Sequence, residues 1–110
     1  MKLYEFVLKR NNEIIVIEHE VRETNKFYIK SGGRFDATYT QRIEKEKLNV
    51  VTSSLYNSYY ISRSSDIVNA KRAFADYLNN NIIPRCESKI EKTREEIEKH
   101  RETIRSLTGE

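Results

Sequence analysis

The residues best suited to covalent chemistry are the single cysteine, Cys86, and one of the two histidines, His100. They lie fourteen residues apart in a segment with helical periodicity, which separates them by about 21 Å along a straight helix. A thiolate–imidazole pair needs hydrogen-bond contact, so we predict no such dyad within one chain. The two side chains would meet only across an antiparallel dimer centred near Thr93. A free cysteine is more often a small buried apolar residue.

The other chemical motifs that the sequence offers are incomplete. One cysteine and two histidines are too few for a four-ligand zinc site of ordinary spacing. His19-Glu20 does not begin a His-Glu-x-x-His motif, because Glu23 stands where the second histidine is required. Gly32-Gly33 lacks the Gly-Lys-Ser/Thr that completes a phosphate-binding loop. We therefore predict no catalytic residue, no metal site and no cofactor, and a protein that is not an enzyme.

Aromatic and basic residues interleave between positions 26 and 42. Nucleobases stack on aromatic rings while Lys and Arg contact phosphates, so this pattern can hold single-stranded nucleic acid. The candidate residues for such contacts are Lys26, Lys30, Arg34 and Arg42. In the interpretation that we favour, the aromatic residues pack a sheet and the basic residues line its solvated face, because neighbouring acids dilute the positive field. Nucleic-acid binding is therefore the alternative function.

A second aromatic group consists of Tyr56, Tyr59 and Tyr60, with Asn57 and Ser58 between them. Tyrosine offers a large amphipathic contact area at low entropic cost and is enriched in protein interfaces. We predict that these three tyrosines bind an external protein partner. The competing interpretation is a sheet edge that the first helix covers.

The first 63 residues have the pattern of a small antiparallel sheet of four or five strands. Alternating apolar residues on both sides of Asn11-Asn12 predict a β-hairpin over Leu3–Val21. A third strand over Lys26–Lys30 leads to a Gly32-Gly33 turn, and Phe35, Ala37 and Tyr39 alternate as in a return strand. The segment from residue 43 to 51 fits a short helical turn or an irregular edge. The segment from residue 55 to 61 fits a last strand or an aromatic loop.

Two helices are expected after the sheet, which gives the α+β class. Ser64-Ser65-Asp66 provides N-cap chemistry for a helix over 64–83 that packs on the sheet. Its apolar stripe is formed by Ile67, Ala70, Phe74, Tyr77 and Leu78. Asn79-Asn80-Asn81 and Pro84 interrupt the pattern, because proline lacks a backbone N–H and clashes with the preceding turn.

The C-terminal helix, predicted over 84–108, has a heptad-like pattern. Isoleucine recurs every seven residues, at Ile83, Ile90, Ile97 and Ile104, and Cys86, Thr93, His100 and Leu107 lie three residues after each. A continuous helix from residue 66 to 107 would be about 63 Å long, about twice the 30 Å width of such a domain. The last helix therefore either folds back at Pro84 or projects and meets another chain. We favour a homo-oligomer held by Ile90, Ile97, Ile104 and Leu107.

Size and charge set the broad class of protein. The chain has 110 residues and a mass of 13.1 kDa, which predicts a single domain over 1–110. Its net charge of +3 arises within residues 1–84, which contain thirteen basic and ten acidic side chains. This excess of positive charge is small for a nucleic-acid-binding protein. The longest apolar run, residues 14–17, is far shorter than a membrane span, and no signal peptide is recognisable. We expect a cytoplasmic protein that does not contact a membrane.

The order of these segments along the chain is similar to that in a known group of proteins. A Tyr-containing strand at Lys26–Lys30, a segment ending Arg42-Ile43-Glu44-Lys45, an aromatic segment, and a Ser-capped helix that runs into a Glu/Lys-rich helix follow one another. This arrangement resembles small uncharacterised proteins encoded by phages and prophages of low-GC Gram-positive bacteria. The resemblance implies a phage accessory protein that binds a host protein in the host cytoplasm, and that group includes inhibitors of host defence systems. It identifies no functional residue.

Overall fold

The computed structural model of the chain describes residues 1–109 and has the predicted α+β class. Six strands come first: Lys2–Leu8 (β1), Ile14–Glu23 (β2), Phe27–Lys30 (β3), Arg42–Glu44 (β4), Thr52–Ser53 (β5) and Ser58–Ser62 (β6). The helical part consists of Ile67–Tyr77 (α1), a π-helical segment at Leu78–Ile82, and Ile83–Thr108 (α2). The chain divides into two compact units, Met1–Asp76 and a helical unit that begins at Tyr77.

The six strands form one curled antiparallel sheet in the order β4-β3-β2-β1-β6-β5. The predicted hairpin is confirmed: β1 and β2 pair in a register that sets Lys2 opposite Glu20 and Phe6 opposite Val16. Asn12 in the connecting turn has a φ of 67°, a conformation that asparagine tolerates better than most residues. The expected count of four or five strands was wrong, because β4 and β5 are too short to show an alternating pattern.

Two apolar clusters lie on opposite faces of the sheet. One contains Leu3, Val21, Tyr28, Phe35, Ile43 and Ile61. The other contains Phe6, Tyr60, Ala70 and Phe74, and here α1 covers the sheet. Successive residues of a strand point to opposite faces, so Leu3 of β1 belongs to the first cluster and Phe6 of β1 to the second. The central strand β1 is therefore buried on its two faces, with β2 on one side and β6 on the other.

The return strand predicted at Phe35, Ala37 and Tyr39 is wrong. Residues 31–41, called the strap below, form bends and turns, and Tyr39 has a φ of 55°. The backbone N–H of Tyr39 donates to the carbonyl of Phe35, which closes a tight turn. The strap lies against β1, where the buried carboxylate of Glu5 accepts hydrogen bonds from the N–H groups of Asp36 and Ala37. These two N–H groups are thus satisfied without a strand partner.

Each of the two ambiguous segments combines its two predicted forms. Residues 43–51 combine the short edge strand β4 with a 3-10 turn at Lys45–Lys47. In the segment from residue 55 to 61, β6 begins at Ser58, while Leu55 and Tyr56 lie in the turn between β5 and β6.

The predicted cap of the first helix is confirmed. The Asp66 carboxylate accepts a hydrogen bond from the N–H of Val68 at 2.9 Å, which satisfies one of the free donors of the first turn. Ala70 and Phe74 of the predicted stripe are buried beneath the helix, whereas Ile67 at the N-terminal end is more exposed.

The prediction of two separate helices was wrong, because no loop separates α1 from α2. The backbone stays right-handed at Tyr77, Ile82 and Ile83, and the asparagines at 79–81 lie in the π-helical segment. Pro84 does not interrupt the helical backbone as predicted, because Asn80, whose carbonyl its ring would meet in a regular α-helix, lies in the π-helical segment. Neither helix of residues 1–109 is long and apolar enough to cross a membrane.

Candidate functional site

The largest set of exposed apolar side chains at regular spacing lies on α2. The isoleucine row, defined as Ile83, Ile90, Ile97 and Ile104, is 46% to 58% exposed at each position, and Leu107 is 82% exposed. None of the side chains of residues 83–108 is buried. Residues seven apart lie on nearly the same side of a helix, so the four isoleucines form a continuous ridge.

Polar groups beside this ridge are satisfied within α2 itself. The hydroxyl of Thr93 donates to the carbonyl of Lys89 at 2.9 Å, so it can face an apolar surface without losing a hydrogen bond. Glu98 forms ion pairs with Arg101 at 3.9 Å and with Arg105 at 3.4 Å. The surface of α2 is therefore an apolar ridge with charged borders, an arrangement that can pack against another helix.

The three predicted partner-binding tyrosines are not equivalent. Tyr56 is 64% exposed, and the Arg10 guanidinium lies 4.9 Å from the centre of its ring. Tyr59 and Tyr60 are buried in the fold. Tyr60 packs near Phe74 of α1, and its hydroxyl donates to Asn49 at 3.2 Å, which is the packing role considered as the competing interpretation. Only Tyr56 of the three presents a ring to solvent.

The four predicted nucleic-acid contacts do not share one face of the sheet. Ile29 pairs with Arg42, and the next residue of β3, Lys30, points to the opposite face. The Arg42 guanidinium lies 4.6 Å from the centre of the Phe27 ring. Arg34 lies in the exposed part of the strap, and Lys26 precedes β3. The structure thus brings together one cation and one aromatic ring of the predicted pattern, Arg42 and Phe27.

A cleft of about 610 Å³ lies next to this pair, between the start of β3 and the end of β4. It is lined by Asn25, Lys26, Phe27, Glu44, Lys45 and Glu46. Its charged side chains are two lysines and two glutamates, so their formal charges cancel. The cleft therefore offers an aromatic wall without a net positive field.

An ion cluster that the sequence did not predict lies where strands β2, β4 and β6 end. Glu23 at the end of β2 lies 2.8 Å from Lys45 and 3.3 Å from Arg63, the residue that follows β6. Arg63 also donates a hydrogen bond to the hydroxyl of Tyr28, which raises the pKa of the guanidinium. The hydrogen bond from Lys45 and its charge hold the pKa of Glu23 below its ordinary value of 4.5. The cluster thus connects the end of β2 to the residues that follow β4 and β6.

A buried acid–histidine pair is the other polar feature that sequence reasoning missed. His19 Nε2 lies 2.8 Å from Glu5 Oε1, and both side chains are at most 1% exposed. The ring of Phe35 covers the imidazole at a centroid distance of 4.6 Å. A signal was present, because Glu5 interrupts an apolar strand and the hairpin register brings His19 to the same face. The pair has no access to solvent, so its chemistry in this state is structural.

The remaining candidates for covalent chemistry, Cys86 and His100, do not lie close together. Cys86 is exposed on α2, and His100 lies fourteen residues further along the same helix. Among residues 1–109, no group of three or more His, Cys, Asp or Glu side chains is placed to hold a metal ion.

Comparisons with protein-family models, with curated proteins and with solved structures yield no match for this chain.

Proposed function

We propose that the protein is a non-enzymatic binding protein that acts through protein–protein contact, with α2 as the element through which it assembles. The observation that carries this proposal is the exposure of the isoleucine row and Leu107 along a helix of 26 residues. Fully burying one aliphatic side chain contributes about 1.5–3 kcal/mol. The four half-exposed isoleucines and the exposed Leu107 therefore leave several kcal/mol available to a partner surface.

A second copy of the chain is the partner that fits this surface. A ridge with a seven-residue repeat packs best against a ridge with the same repeat, because its side chains then insert between those of the facing helix. The charged borders on both sides of the ridge would remain in solvent. Homo-oligomerisation through Ile90, Ile97, Ile104 and Leu107 is thus the first step of the proposed function.

An external partner would use a different surface. The turn between β5 and β6 carries Leu55, which is 86% exposed, next to the exposed ring of Tyr56. An aliphatic and an aromatic side chain at the tip of a turn can enter a pocket of another protein. We propose Tyr56 as the contact for a host protein. The resemblance to phage-encoded accessory proteins supports this setting, including inhibition of a host defence system in the host cytoplasm.

Nucleic-acid binding is the second candidate, supported by the Arg42–Phe27 pair beside the cleft. Such binding would be strong at low salt and would weaken steeply as salt rises. Each Lys or Arg side chain that contacts a phosphate releases counterions from the nucleic acid, and added salt opposes that release. Fluorescence anisotropy with a mixed-sequence single-stranded oligonucleotide tests it. Absence of binding at low salt would exclude this candidate and leave protein binding.

The proposed assembly is tested by two matched substitutions on α2. Ile97→Asp places a charge in the middle of the ridge and should convert the oligomer to a monomer of 13.1 kDa, measured by light scattering behind a sizing column. Ser88→Asp places the same charge on the far side of the helix and should leave the mass unchanged. Circular dichroism shows whether both variants keep their helix. An unchanged mass for Ile97→Asp would contradict the proposal.

A further inference from the structure

We propose that the first half of β2 is an open strand edge, to which an extended segment of another protein adds as a further strand. This inference rests on the proposed binding of an external protein and names the way in which that protein is bound. The open edge is defined as Ile14–Glu18, and it lies in the densest β-branched run of the chain. It arises because β2 is longer than β3, the strand beside it.

The pairing of β2 changes along its length. Residues 14–20 pair with β1, whereas β3 pairs only with residues 21–23. β3 ends at Lys30, and the strap that follows turns at Gly32, whose φ of 95° suits glycine. The Glu5 carboxylate then holds the strap on the face of the sheet. Within residues 1–109, the open edge therefore has β1 on one side and no strand on the other.

The hydrogen-bond pattern shows which backbone groups of the open edge are free. The N–H of Val21 donates to the carbonyl of Met1, in the same register that pairs β2 with β1. Hydrogen-bonded positions alternate in an antiparallel pair, so the odd-numbered residues of β2 bond to β1. The N–H and C=O groups of Ile14, Val16 and Glu18 point away from β1, and among residues 1–109 no hydrogen bond is made to them.

The open edge lacks two of the features that usually protect an edge strand. Proteins place proline or a bulge on such strands, because free backbone groups pair with other chains. The open edge contains no proline, and its register with β1 is continuous. Val16 is 45% exposed, and Ile15 and Ile17 on the other face are partly exposed. The edge thus keeps a regular row of donors and acceptors beside side chains that are still accessible.

The residues of the open edge define the chemistry of the segment that fits it. Side chains directly opposite each other in neighbouring strands lie on the same face and contact each other. Ile14 and Val16 on one face favour aliphatic residues in the added strand, and Ile15 and Ile17 favour them on the other face. The segment is therefore apolar along most of its length.

Glu18 adds a requirement for a basic residue. Its carboxylate lies 3.3 Å from the ammonium of Lys2, which belongs to β1. The added strand lies on the other side of β2, so a Lys or Arg opposite Glu18 would approach the carboxylate from that side. Glu23 at the end of the same strand contacts two cations in this way, Lys45 and Arg63. The segment that fits is thus extended and aliphatic, with one basic residue opposite Glu18.

A second copy of β2 fits the open edge less well. In the antiparallel register centred on Val16, Glu18 lies opposite Ile14 of the second copy, so a carboxylate meets an aliphatic side chain at both ends. In the register centred on Glu18, this residue lies opposite its own copy, and the two carboxylates repel each other. A segment of an external protein avoids both mismatches.

The open edge begins at the end of the sheet that carries the exposed Tyr56. Ile14 follows the turn between β1 and β2, and the guanidinium of Arg10 in that turn lies 4.9 Å from the centre of the Tyr56 ring. Neighbouring strands are about 4.8 Å apart, so β6 lies about 10 Å from β2 across β1. One partner protein can therefore add a strand to the open edge and contact Tyr56.

Amide hydrogen exchange of the parent protein tests whether the edge is open. The N–H groups of Ile14, Val16 and Glu18 should exchange fast, whereas those of Ile15 and Ile17, which are bonded to β1, should exchange slowly. Equal protection at all five positions would show that the edge is already covered, as by a second copy, and would overturn the proposal.

Binding is tested by NMR titration of the full chain with the synthetic peptide acetyl-Thr-Thr-Lys-Val-Val-Thr-Val-amide. Placed antiparallel to β2, as β3 is, this peptide sets its lysine opposite Glu18 and valines opposite Val16 and Ile14. We expect saturable shifts of the amide signals of these three residues. A control peptide with glutamate in place of the lysine should bind about fivefold more weakly, because like charges then lie opposite each other. No binding of the lysine peptide at millimolar concentration would overturn the proposal.

Two matched proline substitutions locate the bound peptide. Val16→Pro removes an N–H that points away from β1, so the pairing with β1 is kept, and peptide binding should weaken about tenfold or more. Ser53→Pro places a proline in β5, at the opposite edge of the same sheet, and should leave the peptide affinity unchanged. Circular dichroism shows whether both variants fold. Equal peptide affinity of the two variants would overturn the proposal.

A charge reversal supplies a test that does not depend on proline. Glu18→Lys should bind the glutamate peptide more tightly than the lysine peptide, the reverse of the parent protein. An unchanged preference would overturn the proposed pairing at Glu18. Failure of these binding tests leaves the proposed assembly through α2 standing, because that assembly is measured by mass. A monomeric mass with peptide bound at the edge would contradict only the assembly.

Discussion

The imidazole of His19 lies 2.8 Å from the carboxylate of Glu5 in a site where neither side chain reaches solvent. The same carboxylate accepts the N–H of Asp36 at 3.0 Å and the N–H of Ala37 at 2.8 Å. A carboxylate accepts hydrogen bonds at both of its oxygens, whereas the amide of a glutamine accepts at only one of its two terminal atoms. Glu5 therefore holds the strap against the central strand and positions His19 beneath Phe35. Within residues 1–109, His19 Nδ1 has no hydrogen-bond partner.

We predict that Glu5→Gln destabilises the fold. The amide keeps one acceptor oxygen, but its NH2 group would face a donor that the carboxylate now binds. A buried polar group left without a partner costs about 1–3 kcal/mol. Urea unfolding measured by circular dichroism gives the loss directly.

The control is Glu18→Gln on the exposed face of β2, which should change the free energy of unfolding little. Amide hydrogen exchange supplies a local readout for Glu5→Gln, because the N–H groups of Asp36 and Ala37 should exchange faster relative to those of β1. A variant as stable as the parent protein, with unchanged exchange at both amides, would contradict this role of Glu5.

We predict that stability falls in acid partly because exposed ion pairs are lost. The Met1 ammonium donates to Glu20 at 2.8 Å and lowers the pKa of that carboxyl, as Lys45 does for Glu23. A carboxyl with a lowered folded-state pKa stabilises the fold above its unfolded value of 4.5. This contribution disappears as the pH falls through the folded-state pKa.

The measurement is urea unfolding of the parent protein and of Glu23→Gln across the acid range. The difference in stability between them should be present at neutral pH, shrink below pH 4.5 and also decrease with added salt. A difference that persists unchanged at the acid end would show that the Glu23 pair contributes nothing through its charge.

We predict that substitution of Tyr60 destabilises the fold far more than substitution of Tyr56. Tyr56→Ala removes an exposed ring and should change the free energy of unfolding by at most about 0.5 kcal/mol. Tyr60→Ala removes a ring from the cluster beneath α1 and should cost about 3–5 kcal/mol. Thermal unfolding followed by circular dichroism compares the two variants. Equal destabilisation would contradict the exposure of Tyr56 on which its proposed binding role depends.

Local patterns in the sequence predicted the local elements well. The hairpin around Asn12, the Asp66 cap and the buried stripe at Ala70 and Phe74 all depend on neighbouring residues, and the structure confirms them. The heptad repeat was also predicted from neighbouring residues, those of α2 itself, and its four isoleucines are exposed in the structure.

Elements that depend on distant residues were not predicted. Phe35, Ala37 and Tyr39 alternate as in a strand, but the Glu5 carboxylate, more than thirty residues earlier in the chain, binds the strap as a turn. Tyr59 and Tyr60 are adjacent in sequence and are both buried, because β6 is covered on its two faces. An alternating sequence pattern predicts a strand with one buried and one exposed face, so it could not show that β6 is buried on both faces. The Glu23 cluster also required the curl of the sheet, which brings Arg63 to the end of β2.

The central claim is that α2 holds two or more copies of the chain together. Its most direct test is the absolute mass of the parent protein, by light scattering behind a sizing column, at low and at high salt. We expect at least twice the 13.1 kDa of one chain, and no decrease at high salt, because apolar burial is not screened by ions. A mass of one chain at both salt concentrations would contradict the claim.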